Sequence, residues 1–130
     1  MLSDRMGIKI IPFIEDMDMA YSAADIVVCR AGALTISELA ILGKAAVLIP
    51  SPNVAEDHQT VNAMSLVNKG AAVLVKDTEA KEKLITEIQS LLSDEVRKSG
   101  LESNISYFAK PQAAKQIAAE ILKICANKKA

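Results

Sequence analysis

Three short apolar runs stand out, IVVC at 26–29, AAVLI at 45–49 and AAVLV at 71–75, with a weaker run, IKII, at 8–11. Each is rich in Val, Ile or Ala and apolar at consecutive positions. That pattern suits strands buried on both faces of a parallel sheet better than strands with one wet face. Between the runs lie helical patterns at 17–24, 35–42 and 57–69, the last two stopping at Gly43 and Gly70. Glycine just past the last turn is the usual end signal of a helix, because it adopts a left-handed backbone without a steric penalty.

Strand and helix therefore alternate, with connections of a few residues, which predicts βαβ units and a doubly wound α/β sheet covered by helices on both sides. After Lys76 the pattern becomes helical throughout: 78–93, about 95–108, and 112–126 following Pro111. Asp77-Thr78 and Ser93-Asp94 supply polar residues suited to capping at those boundaries. Helices 78–93 and 112–126 carry charge on one side and Ile, Leu and Ala on the other, the mark of packing helices. No repeat, low-complexity tract or linker interrupts the 130 residues, so they are read as one domain, 1–130.

Composition closes off several functions. The net charge of −1 leaves no electrostatic footprint for nucleic acid, and Lys128 and Lys129 form only a short basic tail. Cys29 and Cys125 have no CxxC or metal-ligand spacing and are expected to be reduced core thiols. The N-terminal residues lack a signal peptide's apolar core, and no segment approaches the roughly 18 apolar residues of a membrane span. The expectation is a cytoplasmic chain, with room for a peripheral membrane contact.

Open α/β sheets bind ligands beyond the carboxyl ends of their strands. The loops expected there are PFIEDM, RAGALT, PSPNVAEDHQ and KDTE. In RAGALT, Gly32 lets a ligand approach the backbone, and the amides from Ala33 to Ile36 lie at a helix's positive end, where a phosphate is stabilised. The same stretch also fits a capping box, Thr35-Ile-Ser-Glu38, in which Glu38 serves only the helix. Both readings stand at this point. PSPNVAEDHQ gathers Asn53, Glu56, Asp57, His58 and Gln59 after a rigid Pro-x-Pro. His58 has no acid, Ser or Cys spaced to build a triad. Gln59 and Asn62 suit sugar hydroxyls, and Asn62 equally suits bridging within the protein. Glu15, Asp16 and Asp18 are a routine response to the dipole of the following helix rather than a metal site.

Residues 12–72, and above all ADxVxxRAGAxTxSE followed by a PxP…EDHQxxNA loop, closely resemble the MurG family, the bacterial UDP-N-acetylglucosamine transferases of peptidoglycan synthesis. The resemblance implies a Rossmann-like parallel sheet, the C-terminal half of a GT-B glycosyltransferase, truncated at its N-terminal edge and followed by C-terminal helices. It places the UDP diphosphate on the amides of Gly32, Ala33, Leu34 and Thr35, and the ribose hydroxyls on Glu38. The uracil edge falls on the backbone of Ile14, with Phe13 and Met17 shaping its pocket. The GlcNAc hydroxyls fall on His58 and Gln59, where His58 departs from family members carrying Gln.

The resemblance further implies no metal, no cofactor and no catalytic residue in this chain, since the base and the lipid-linked acceptor site belong to an N-terminal domain or partner chain. The partners implied are UDP-GlcNAc and that domain, at the cytoplasmic face of the plasma membrane. Weak donor binding without transfer is expected of the chain alone, and an exposed sheet edge makes a homodimer conceivable. An alternative is a soluble donor-binding subunit of a split transferase recruited by a membrane partner.

Overall fold

The computed structural model describes residues 7–52, 58–109 and 121–125. Its elements run α1 (Met17–Ala23), β1 (Ile26–Cys29), α2 (Ala33–Leu42), β2 (Ala45–Leu48), α3 (His58–Val67), β3 (Val73–Leu74), a 3-10 turn (Asp77–Glu79), α4 (Ala80–Leu92) and α5 (Glu95–Ser106). Residues 121–125 are helical, and the rest of the helix expected over 112–126 lies outside the described residues.

The three strands form one parallel sheet in the order β1-β2-β3, with Ile26 beside Ala45 and Val47 beside Val73. All four residues of β2 are buried, as a middle strand covered on both faces requires. Its alternation divides the core in two. Ala46 and Leu48 pack with Tyr21, Leu39, Ala63 and Leu66, whereas Ala45 and Val47 pack with Val75, Leu91 and Leu101. Helices thus cover both faces, as the alternating pattern predicts.

Both glycine stops hold. Gly43 and Gly70 take φ of 64° and 66°. Beside each, two amides turn back onto the last helical turn: Gly43 to Ala40 and Lys44 to Leu39, Gly70 to Val67 and Ala71 to Leu66. This is the double bond of a Schellman ending. It also explains why β3 is shorter than the run 71–75. The Ala71 amide is committed to the end of α3, so the ladder begins only beyond it.

Three expectations are corrected. The run at 8–11 is not a strand: Ile8, Ile10 and Ile11 are exposed, and β1 pairs only with β2, so these residues have no ladder among the described residues. An apolar run becomes a strand only where a neighbour accepts its backbone hydrogen bonds. Cys125 is exposed rather than a core thiol, while Cys29 is half-buried. Asp77 does not cap a helix, since no side chain caps the 3-10 turn or α4 and Asp77 is turned toward Arg30. Asp94 does cap, accepting from the Arg97 amide, and Asp16 likewise accepts from the Met19 amide at the start of α1. The acid at residue 16 therefore serves its helix.

Candidate functional site at the carboxyl end of the sheet

The loop after β1 enters α2 through Gly32, which is the residue capping the helix with extended backbone (φ −69°, ψ 145°) and has no side chain to close the end. The first intrahelical bond to reach back is Ile36 N–H to Gly32 C=O at 3.0 Å. Amides of the first helical turn precede any available carbonyl. Those of Ala33, Leu34 and Thr35 accordingly have no acceptor among the described residues, and Leu34 is 77% exposed. The geometry is that of an anion seat: three N–H groups at the positive end of a ten-residue helix, beside a residue with no Cβ.

The capping-box reading is overturned. Thr35 lies inside the helix, third from its start, so it cannot be the cap, and no side chain caps α2. Glu38 is instead held from another helix: the Tyr21 hydroxyl donates to its Oε2 at 2.9 Å. One carboxylate oxygen is engaged, and the remaining lone pairs can still accept two vicinal hydroxyls. Burial, reinforced by the hydrogen bond to Glu38 and its negative charge, pushes the Tyr21 phenol from 10.0 up to about 12. The phenol therefore stays a donor across the neutral range.

Of the residues read as a uracil pocket, Met17 shares a small cleft of about 170 Å³ with Asp18, Tyr21, Glu38, Ile41 and Leu42. Phe13 and Ile14 are exposed, at 75% and 38%, on the segment leading into α1. The structure thus joins Met17 to Glu38 and leaves Phe13 and Ile14 outside that cleft.

The loop after β2 contributes the start of α3. His58 is exposed at its first position, and Gln59 Oε1 accepts from the Ser51 amide at 2.8 Å. That bond fixes the Gln59 side chain while leaving its NH₂ as a donor. Asn62 takes the bridging role: its Nδ2 donates to Ala31 C=O at 3.3 Å, tying α3 to the residue before Gly32. Asn53, Glu56 and Asp57 lie outside the described residues. A larger cleft of about 400 Å³ opens between the loops that follow β2 and β3, lined by Pro50, Pro52, Thr60, Leu74 and residues 76–78. No group of three His, Cys, Asp or Glu able to hold a metal occurs among the described residues.

Sequence reasoning missed two residues that organise this end of the molecule. In the sequence Tyr21 stands only as part of a short helical pattern, and nothing local announces a partner 17 positions away. Arg30, the first letter of RAGALT, donates to Ile49 C=O and pairs with Asp77, joining the loops after all three strands. An arginine directly after one strand and an acid three residues past another, both at carboxyl ends, is the available signal.

Comparison with known proteins bears on the family and the fold. A family model described as the glycosyltransferase family 28 C-terminal domain matches residues 2–121. The UDP-N-acetylglucosamine--N-acetylmuramyl-(pentapeptide) pyrophosphoryl-undecaprenol N-acetylglucosamine transferase of Flavobacterium psychrophilum is 46% identical over 127 residues, 98% of this chain and 35% of that protein. The enzyme of the same name from Porphyromonas gingivalis W83 is 55% identical over 117 residues, 90% of this chain and 31% of that protein. The crystal structure of Acinetobacter baumannii MurG superposes with a TM-score of 0.77 at 36% identity, covering 88% of this chain and 33% of that one. The chain thus spans about a third of the length of the curated relatives it matches. The alternating strands and helices are those of one half of the MurG fold, and the chain belongs to the glycosyltransferase family 28 C-terminal domain family.

Proposed function

We propose that this chain is the donor-binding part of an inverting glycosyltransferase that moves GlcNAc from UDP-GlcNAc to the C4 hydroxyl of a lipid-linked MurNAc-pentapeptide, a step of peptidoglycan synthesis. The observation that carries the reading is the pairing of three open amides at Ala33, Leu34 and Thr35 with the Glu38 carboxylate farther along the same helix. Amides of this kind receive a diphosphate, and a carboxylate receives the two hydroxyls of a ribose. The same amides would stabilise the charge that collects on the departing UDP as the glycosidic bond breaks.

Gln59, braced through its carbonyl by Ser51, offers its amide protons to sugar hydroxyls, with His58 beside it at the start of α3. Ile14 offers backbone and Phe13 and Met17 offer apolar surface for the base. The acceptor site and the base that deprotonates the acceptor fall to the part of such an enzyme that this chain does not match, so the chain alone binds donor without transferring it. Such an enzyme works at the cytoplasmic face of the plasma membrane. No helix among the described residues is long and apolar enough to cross a membrane, which fits a peripheral contact.

Isothermal titration of UDP-GlcNAc into the wild-type chain and into Glu38→Gln, with UDP-glucose as the sugar control, tests the reading. Binding by wild type, weakened by about 1–3 kcal/mol in the variant as for loss of a charged acceptor, supports it. Folded wild-type protein that binds no UDP-sugar overturns it.

A further inference from the structure

The bond between Tyr21 and Glu38 is unusual in how its two ends are held. The Tyr21 side chain is 6% exposed and belongs to the core shared by α2, α3 and the sheet, so its ring has one place to be. Tyr21 also lines the cleft shared with Met17 and Asp18, and its hydroxyl donates to Glu38 Oε2 at 2.9 Å. Glu38 is half-buried and carries a flexible side chain, and its one hydrogen-bond partner among the described residues is this hydroxyl. A free glutamate on a helix surface samples several rotamers, and fixing it at the moment of binding costs entropy. A donor anchored in the core removes that cost beforehand.

We propose that Tyr21 is a positioning residue: by donating to one oxygen of Glu38 it holds the carboxylate ready for two vicinal hydroxyls and so sets the preference of this site for ribonucleotides. The inference rests on the donor-site reading of Glu38 and adds to it the group that prepares the carboxylate. Tyr21 itself touches no ligand in this scheme. Its contribution belongs to the hydroxyl-recognising part of binding and not to the diphosphate seat on the amides of α2.

The test compares UDP with 2′,3′-dideoxy-UDP, which lacks both hydroxyls, as ligands of the 130-residue chain. Wild type is expected to prefer UDP by tenfold or more. Tyr21→Phe, which keeps the ring, is expected to shrink that preference by three- to tenfold while leaving affinity for the dideoxy compound unchanged. Glu38→Gln should abolish the preference, and adding Tyr21→Phe to it should change nothing more. Glu38→Asp leaves Tyr21 and its packing intact but shortens the reach of the carboxylate, and should also lose the preference. A Tyr21→Phe chain that keeps the wild-type ratio overturns the inference, as does an unchanged ratio in Glu38→Asp. Wild type that binds UDP and its dideoxy analogue equally overturns the ribose role of Glu38, and wild type that binds neither overturns the donor site itself.

Discussion

Arg30 Nη1 lies 2.5 Å from Asp77 Oδ1 and 3.3 Å from the Ile49 carbonyl, so one side chain leaving β1 crosses the end of β2 to reach the residues after β3. The two side chains are 54% and 36% exposed, which places the pair in solvent reach. Exposed pairs of this kind contribute about 0–1 kcal/mol and are screened by salt. Asp77→Asn is therefore expected to lower unfolding free energy by less than about 1 kcal/mol in dilute buffer and by almost nothing in 0.5 M NaCl. Urea denaturation at the two salt concentrations measures this.

Gly32 separates stability from ligand binding. Its φ of −69° is ordinary for any residue, and a Cβ there would meet nothing nearer than Thr35 Oγ1 at 4.0 Å. The fold does not demand glycine at this position. A serine would cap α2 through the open Thr35 amide and is expected to stabilise the chain by about a few tenths of a kcal/mol. Its side chain would occupy the amide assigned to the diphosphate, so Gly32→Ser should weaken UDP-GlcNAc binding by about tenfold or more, the value of one charge-assisted hydrogen bond. Thermal unfolding and titration of the same preparation should move in opposite directions.

Gly43 is the opposite case. With φ of 64° and a built Cβ only 3.0 Å from Ser106 Oγ, it is required by both backbone and packing. Ser106 is not free to retreat without loss, because its hydroxyl donates to the Glu102 carbonyl at 2.8 Å. Gly43→Ala should cost about 1–2 kcal/mol from the left-handed backbone alone. Adding Ser106→Ala should recover the contact component and not the backbone component, which denaturant midpoints of the single and double variants will separate.

Alkaline pH should weaken the fold through two groups whose protons the folded chain holds more tightly than the unfolded one, Cys29 and Tyr21. Burial pushes the Cys29 thiol from 9.0 up to about 11, and burial with Glu38 pushes Tyr21 from 10.0 up to about 12. Between each pair of values the unfolded chain has lost a proton that the folded chain keeps, so stability falls as pH rises. The contribution of each group is whole below its unfolded value and gone above its folded value, giving windows of 9–11 and 10–12. The slope is about 1.4 kcal/mol per pH unit for each group within its window. Absorbance titration at 295 nm in a Tyr107→Phe background, where Tyr21 is the one remaining tyrosine, follows the phenol directly, and urea midpoints from pH 8 to 12 follow the stability.

What the chain determined by itself is local. Helices end at Gly43 and Gly70 because a left-handed residue is needed there, and strands form at 26–29 and 45–48 because Val, Ile, Leu, Cys and Ala stand in unbroken apolar runs. Asp16 and Asp94 cap helices because an acid just before a helical pattern can reach the amide three residues ahead. The alternation of strand and helix located the mouth of the sheet at the strands' carboxyl ends, and the resemblance carried in RAGALT and its neighbours named the family, with which the family match agrees. Tertiary structure decided which partner each polar side chain takes. Glu38 faces Tyr21 instead of its own helix end, Asn62 reaches Ala31, Arg30 reaches Asp77, and the Ile residues at 8–11 form no strand. Helix stops and caps are chosen by torsion angles within a few residues, whereas hydrogen bonds spanning 17, 31 and 47 positions exist only once the sheet has placed α1, α2, α3 and the turn after β3 side by side.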